Sequence, residues 1–176
     1  MNHNVKFPVA DKRHAAICGL FCPACSNFIA TQEEPGKLEK RAKKLDRPLE
    51  DLKCHGCRSD RLYIFCKEEC IMRECAAEKG VDFCGDCLEY PCDALSEFQA
   101  KLPHRLELWQ DLQRIKEAGY EQWYKEMLEH YSCPQCGTIN SAYNLQCRKC
   151  GEDPSCKYVE LHKIKIEQYI REQKNK

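Results

Sequence analysis

The sequence lacks the features of a membrane or secreted protein. It contains no run of about 18 consecutive apolar residues, the minimum that suggests a membrane-spanning helix, and its mean hydropathy is −0.69. Its start, MNHNVKFPVADKRH, has neither the apolar segment nor the small-residue cleavage site of a secretory signal. We therefore expect no membrane association and a cytoplasmic location, where thiols stay reduced or bind metal instead of forming a disulfide framework.

The common catalytic motifs are absent as well. There is no GxxxxGK[ST] phosphate loop, no GxGxxG dinucleotide turn, no HExxH zinc-protease helix and no GxSxG nucleophile elbow. No histidine begins the HxE of a zinc deaminase. These absences argue against the enzyme classes that the motifs mark.

Cysteine, in contrast, is abundant. The chain has 16 cysteines in 176 residues, a proportion at which metal or covalent cross-links replace part of an apolar core. Eleven lie between Cys18 and Cys92, and five lie between Cys133 and Cys156 after a gap of 40 residues. The gap predicts three segments. These are a cysteine-rich metal-binding domain at 1–100, a helical linker at 101–131, and a zinc ribbon with a C-terminal helix at 132–176.

The fold class we expect is a small metal-stabilised α+β protein whose N-terminal domain is mostly helical or irregular. In the linker, apolar residues at steps of three and four predict one amphipathic helix with Pro103 in its first turn and Gly119 at its end. Its apolar residues are Leu102, Leu106, Trp109, Leu112 and Ile115. A second apolar set, Trp123, Met127 and Tyr131, continues the helical period, and we expect these aromatics to pack the two cysteine regions together. Residues 37–47 and 157–176 also read as helices, although VELHKIKI in the latter fits a strand too.

The C-terminal cysteines have the spacing of a zinc site. Cys133, Cys136, Cys147 and Cys150 form two CxxC pairs separated by ten residues, and a glycine follows each pair. Each CxxC turn lets two sulfurs approach one ion, and the intervening segment can fold back as a hairpin. The spacing predicts a small zinc ribbon. Such a closed set of four ligands leaves no position for water or substrate, so we expect no catalysis at this ion.

The N-terminal cysteines are predicted metal ligands, but the sequence does not determine which of them share an ion. They are Cys18, Cys22, Cys25, Cys54, Cys57, Cys66, Cys70, Cys75, Cys84, Cys87 and Cys92. Because Cys66 and Cys70 would share a face of one helix, one hypothesis joins them to Cys54 and Cys57. Cys84, Cys87 and Cys92 would then find partners among Cys18, Cys22, Cys25 and Cys75, and two sites of four would leave three cysteines over. Thiolates suit zinc and iron alike, so several zinc ions or an iron–sulfur cluster fit this segment. The roles of Cys156, His14 and His55 stay open.

Three stretches, ICGLFCPACSNFIAT, CHGCRSD and CKEECIMRECAAEKGVDFCGDCLEYPCDALSEF, together resemble a prokaryotic cysteine-rich family known as domain of unknown function 3795. The resemblance covers roughly residues 14–100, and the ribbon resembles an extension found on some members. Many relatives carry a further cysteine where this chain has Phe21. The resemblance implies metal binding in a bacterial or archaeal cytoplasm and implies no known reaction.

The function that the sequence favours is a non-enzymatic zinc protein whose metal sites build an interaction or adaptor surface for an unknown protein partner. The first alternative is an iron–sulfur electron carrier or redox sensor. A metal-dependent enzyme with an open three-cysteine site is a second alternative. Nucleic acid is a weaker candidate partner, based on the basic segments 37–47 and 157–176.

Overall fold

The computed structural model describes residues 9–175, and this part of the chain is mostly helical. Its α-helices are α1 Ser26–Glu33, α2 Pro35–Leu45, α3 Leu49–Leu52, α4 Ile64–Glu68, α5 Ile71–Lys79, α6 Asp93–Ala100, α7 Leu108–Ala118, α8 Tyr120–Tyr131 and α9 Lys157–Lys174. Over 9–175 no strand forms, and β pairing is limited to the isolated bridges Ala15–Phe21 and Ser132–Ile139. The helical part of the expected fold class is shown, whereas its β part is not. None of the helices within these residues is both long and apolar enough to cross a bilayer.

The helices largely follow the apolar periodicity, with one exception. Helix α2 occupies the predicted basic segment, α8 follows α7 after Gly119, and the C-terminal segment is the helix α9 and not a strand. The single helix predicted from Leu102 is wrong, because residues 103–105 form a separate 3-10 turn and α7 begins only at Leu108. The Tyr158 hydroxyl holds this turn, since it donates to the Pro103 carbonyl at 2.5 Å and accepts from the Leu106 N–H at 3.3 Å.

One apolar core runs from the N-terminal cysteine region to α9. The Phe21 ring lies 5.9 Å from Trp123 and 5.8 Å from Tyr131, and Tyr131 stacks on Tyr158 at 5.0 Å. Trp123 and Tyr158 are fully buried. The expectation that the linker aromatics pack the two cysteine regions together is therefore confirmed.

Two carboxylates lie at this core, Asp111 buried and Glu107 partly buried. Asp111 on α7 accepts a hydrogen bond from the Trp123 indole N–H at 2.9 Å, and burial raises the pKa of Asp111 to about 7. Glu107, just before α7, accepts from Nε2 of His130 on α8 and Nε2 of His162 on α9, both at 2.7 Å. Burial opposes ionisation of Glu107, but the two imidazoles outweigh it and lower the pKa of this carboxyl. Glu107 thus connects three helical segments.

Candidate metal centre

Four sulfurs converge in the segment between α8 and α9. The Sγ atoms of Cys133, Cys136, Cys147 and Cys150, called the tetrad below, all lie within 4.8 Å of one another. Between the two CxxC turns, the sulfurs of Cys133 and Cys150 lie 3.5 Å apart and those of Cys136 and Cys147 lie 3.7 Å apart. Zinc–sulfur bonds of about 2.3 Å in a tetrahedron place the sulfurs about 3.8 Å apart. The tetrad therefore has the dimensions of a site that could hold one metal ion.

The two CxxC turns have the same backbone geometry. The N–H of Gly137 donates to the Cys133 carbonyl at 2.9 Å, and the N–H of Gly151 donates to the Cys147 carbonyl at 3.0 Å. In each turn the first cysteine donates its own N–H to the carbonyl of the residue after the glycine, at 2.9 and 2.7 Å. Both glycines have positive φ, +70° and +82°, a conformation that costs glycine little. The sequence therefore builds two similar CxxC turns from local hydrogen bonds.

A buried amide connects these turns. Asn140 is fully buried, and its Nδ2 donates to the carbonyls of Thr138 at 2.9 Å and Ser155 at 3.2 Å. The same nitrogen lies 3.6 Å from the Cys147 sulfur, and Oδ1 accepts from the Arg148 N–H at 3.0 Å. Asn140 thus supports a ligand and its turn from within the core.

Arg148 lies between two tetrad cysteines and reaches the N-terminal half of the chain. Its Nε donates to the Ile139 carbonyl at 2.9 Å. Its guanidinium pairs with Glu33 at 2.6 Å and Glu34 at 3.5 Å, at the end of α1. Only 7% of the Arg148 side chain is exposed, but the Glu33 side chain is 58% exposed and that of Glu34 is 20% exposed, so the pair with Glu34 is the better shielded from solvent.

The electrostatics favour thiolate at two of the four positions. Burial opposes ionisation of Cys147, yet the N–H groups of Cys150 and Lys149 and the Asn140 amide lower its pKa to about 6. The Thr138 hydroxyl, bonded to the Cys136 sulfur at 3.2 Å, lowers the pKa of Cys136. A bound cation would neutralise the remaining repulsion between the sulfurs, so the chemistry of the tetrad is that of a soft cation site.

The eleven N-terminal cysteines are spaced more widely. Among residues 9–175 the tetrad is the single group of three or more potential ligands that meets the 4.8 Å spacing. Of the N-terminal thiols, Cys18, Cys22 and Cys54 are buried, and the others are partly or fully exposed. The expected helix shared by Cys66 and Cys70 is wrong, because α4 ends at Glu68 and Cys70 precedes α5.

Cys156, His14 and His55, whose roles were open, each contact another residue of the chain. Cys156 is 1% exposed in the core, with the Ser155 hydroxyl 3.7 Å from its sulfur. Nδ1 of His14 lies 3.3 Å from the Tyr124 hydroxyl, and Nδ1 of His55 lies 3.3 Å from the Gln32 amide.

The supporting residues that sequence reasoning missed are Asn140 and Arg148. The position of Asn140 between the two CxxC pairs was the available signal for it.

Comparison with known proteins concerns the N-terminal half of the chain. A family model described as protein of unknown function (DUF3795) matches residues 14–97. The matched segment contains all eleven N-terminal cysteines and ends before the tetrad. The match supports a family of unknown function for this segment. No curated protein and no solved structure matches the chain.

Proposed function

We propose that this chain is a non-enzymatic zinc-binding protein in which the tetrad holds one structural zinc ion as a small zinc ribbon. The N-terminal segment, matched by a family of unknown function, binds further ions in this proposal. The observation that carries it is the sulfur spacing across the tetrad, 3.5 and 3.7 Å, which is close to the edge of a zinc tetrathiolate tetrahedron.

A structural role follows from the ligand set. Four thiolates complete the coordination of zinc and leave no position for water or substrate. The support around the sulfurs, from two peptide turns and the Asn140 amide, fits an ion that stabilises a loop segment. A reducing cytoplasm is the compartment that this function requires, since the thiols must stay available for metal.

The proposal also includes an adaptor role, in which the chain binds another protein. Helix α9 exposes Leu161 and Ile164, which are 55% and 80% accessible, and apolar side chains of this kind contribute to protein contacts. Nucleic acid is less well supported as a partner, because Arg41 in the basic helix α2 already bonds Asn27 and Tyr63.

The test is metal analysis of the full chain purified anaerobically under reducing conditions. We expect zinc in the wild type and one zinc ion fewer in Cys136→Ser, which loses an exposed tetrad ligand. Cys156→Ser is the matched control, because this cysteine is outside the tetrad, and its zinc content should equal that of the wild type. A Cys136→Ser chain with full zinc content, or a wild type with no zinc, would contradict the proposal.

An iron–sulfur cluster in the N-terminal segment is the second candidate function. The wider spacing of these sulfurs favours it, because cluster thiolates bind different iron atoms and are farther apart than the ligands of one ion. Stoichiometric acid-labile sulfide and visible absorption near about 400 nm would establish the cluster. Their absence from an anaerobic preparation would exclude it.

A further inference from the structure

Helix α2 and the residues that end it present a surface of basic side chains to solvent. This surface, called the basic face below, consists of the exposed Lys37, Lys40, Arg41, Lys43, Lys44 and Arg47. Because successive residues of an α-helix are about 100° apart around its axis, the five members within α2 project into an arc of about 160°. The buried Leu38 and Ala42 lie on the opposite side of the helix. The positive charges are therefore gathered on one side of α2.

Packing determines that this side of α2 faces water. Leu38 and Ala42 are 2% and 6% exposed, because they belong to a small core that α2 forms with α1 and α3. At the C-terminal end of the helix, Asp46 has a φ of +50°, and the Arg47 N–H donates to the Ala42 carbonyl at 3.1 Å. Arg47 is thus held against the last turn of α2. The basic face is a fixed surface of the folded chain.

Ion pairs neutralise little of this charge. Within the part of the chain that the structure describes, Lys37 is the one member of the basic face that pairs with a carboxylate, that of Glu34 at 2.9 Å. Arg41 donates to two neutral groups, the Asn27 amide oxygen and the Tyr63 hydroxyl. The other four members lie three or four residues apart, a spacing at which like charges on a helix repel one another. A partner that supplies negative charge would remove this repulsion.

Exposed carboxylates limit the basic face at both ends. The side chain of Glu33, just before α2, is 58% exposed, and that of Glu50, shortly after α2, is 66% exposed. Helix α2 has 11 residues, so the face is only about 16 Å long. A nucleic acid strand carries a charge at every phosphate and would continue past the face onto these carboxylates. A short acidic segment of protein can end where the face ends, so the observations favour a protein partner.

An open depression of about 440 Å³ adjoins the C-terminal end of the basic face. Its lining includes the apolar residues Ala42, Pro48 and Leu49 together with two members of the basic face. Glu39 and Asp46 line it as well, so an apolar group fits here better than a further anionic one. A partner that places one apolar side chain beside its acidic residues could therefore use the face and the depression together.

We propose that the basic face binds a short acidic helix of another protein, and that an apolar side chain of this partner enters the depression. The proposal names a partner class for the adaptor role and rests on that role. Because the cations of α2 repeat at steps of three and four residues, glutamates at the same steps on a partner helix match them. The charges govern the rate of association and the choice of partner, whereas the apolar contact slows dissociation.

Fluorescence anisotropy of the zinc-loaded full chain with labelled probes tests the partner class. The first probe is a synthetic helical peptide of about 15 residues, or four turns, with glutamates at steps of three and four, a leucine beside them and a lysine at each end. We expect saturable binding that weakens as salt is added. A peptide of the same composition with its glutamates scattered around the helix should bind at least about tenfold more weakly. No saturable binding, equal affinity for the two peptides, or tighter binding of a single-stranded oligodeoxynucleotide of the same length would overturn the proposal.

Charge reversal tests whether the peptide binds at the basic face. Lys40→Glu/Lys44→Glu should lower the affinity for the first peptide at least about tenfold, because it places like charges across the interface. Lys125→Glu/Lys165→Glu is the matched control, since it changes the net charge equally at exposed positions of α8 and α9. Its affinity should fall less than about twofold. An equal loss in the two variants, or no loss in the first, would overturn the proposal.

A measurement on the wild type covers variants that fail to fold. The bound peptide should protect Lys40, Lys43 and Lys44 from an acetylating reagent and leave Lys125 and Lys165 as reactive as in the free chain. Protection of none of these lysines, or of all of them equally, would overturn the proposal. Zinc analysis of the same preparation separates the two levels of the argument. A chain that holds zinc and fails these tests refutes the acidic partner alone, whereas a chain without zinc refutes the proposed zinc-binding function.

Discussion

Replacing Asn140 by alanine tests whether the buried amide supports the tetrad. The substitution removes hydrogen bonds to the carbonyls of Thr138 and Ser155 and to the N–H of Arg148. The Thr138 carbonyl still accepts the Cys133 N–H at 2.9 Å, so the substitution leaves two backbone groups without a partner, the Ser155 carbonyl and the Arg148 N–H. Because Asn140 is fully buried and each unsatisfied buried backbone group costs about 1–3 kcal/mol, these two groups together give about 2 kcal/mol at the lower limit. The free energy of unfolding of the zinc-loaded chain should fall by that amount. Loss of the contact with the Cys147 sulfur should weaken zinc binding by about 10–100-fold, as for other groups that orient a ligand.

Two measurements separate these effects. Urea unfolding of the zinc-loaded protein gives the change in stability, and competition with a chelator of known affinity gives the zinc Kd. Asn144→Ala is the matched control, because Asn144 lies in the same loop and accepts bonds from Ser141 at 2.9 and 3.0 Å. We expect it to leave the zinc Kd unchanged. If Asn140→Ala changes the Kd less than about twofold and stability by less than about 1 kcal/mol, then the amide does not support the site as argued.

Three further predictions concern the core and the backbone. Burial raises the pKa of Asp111 from 3.8 to about 7, so ionisation of Asp111 destabilises the fold increasingly as pH rises between these values. Asp111→Asn should therefore raise the urea midpoint of unfolding strongly at pH 8 and less at pH 5.5. An equal increase at the two pH values would refute this reasoning. Glu107→Gln should lower the free energy of unfolding by about 2 kcal/mol at pH 7, because it weakens two charge-assisted hydrogen bonds. Glu129→Gln, a substitution at an exposed position, is the control. In the same urea titration its free energy of unfolding should stay within about 0.5 kcal/mol of the wild-type value. Gly19→Ala should lower the melting temperature, because Gly19 has φ +86° and a Cβ would lie 2.8 Å from the buried Leu112 side chain. Gly36→Ala should raise the melting temperature, because Gly36 lies in helix α2 with no atom within 4 Å of an added Cβ. A similar shift in both variants would contradict the steric argument.

The tetrad could be predicted from the sequence because its geometry is local. Each CxxC turn closes through hydrogen bonds that span at most five residues, and glycine supplies the positive φ that the turn needs. The spatial arrangement of the N-terminal cysteines could not be predicted in the same way. Cys66, for example, reaches α1 through Tyr63 and Arg41, and this connection exists only once α2 has packed.

The interruption of the helix before α7 also could not be predicted from the local sequence. Apolar spacing predicts a continuous helix from Leu102, but the Tyr158 hydroxyl, 55 residues away in the sequence, satisfies the backbone of a tight turn at Pro103. A polar contact from a distant helix thus outweighs local periodicity. Asn140 was missed for a related reason: its position between the two CxxC pairs indicates that it lies near the site, but the local sequence does not show that a loop asparagine will be buried.

The ring contacts of Phe21 have a consequence for the segment matched by the family model. That segment supplies Phe21, but the rings that cover it, Trp123 and Tyr131, belong to α8, outside residues 14–97. A fragment cut after residue 97 would carry its cysteines intact and yet expose this aromatic face to water. We expect such a fragment to self-associate, so the second half of the chain acts as a built-in cover for the first.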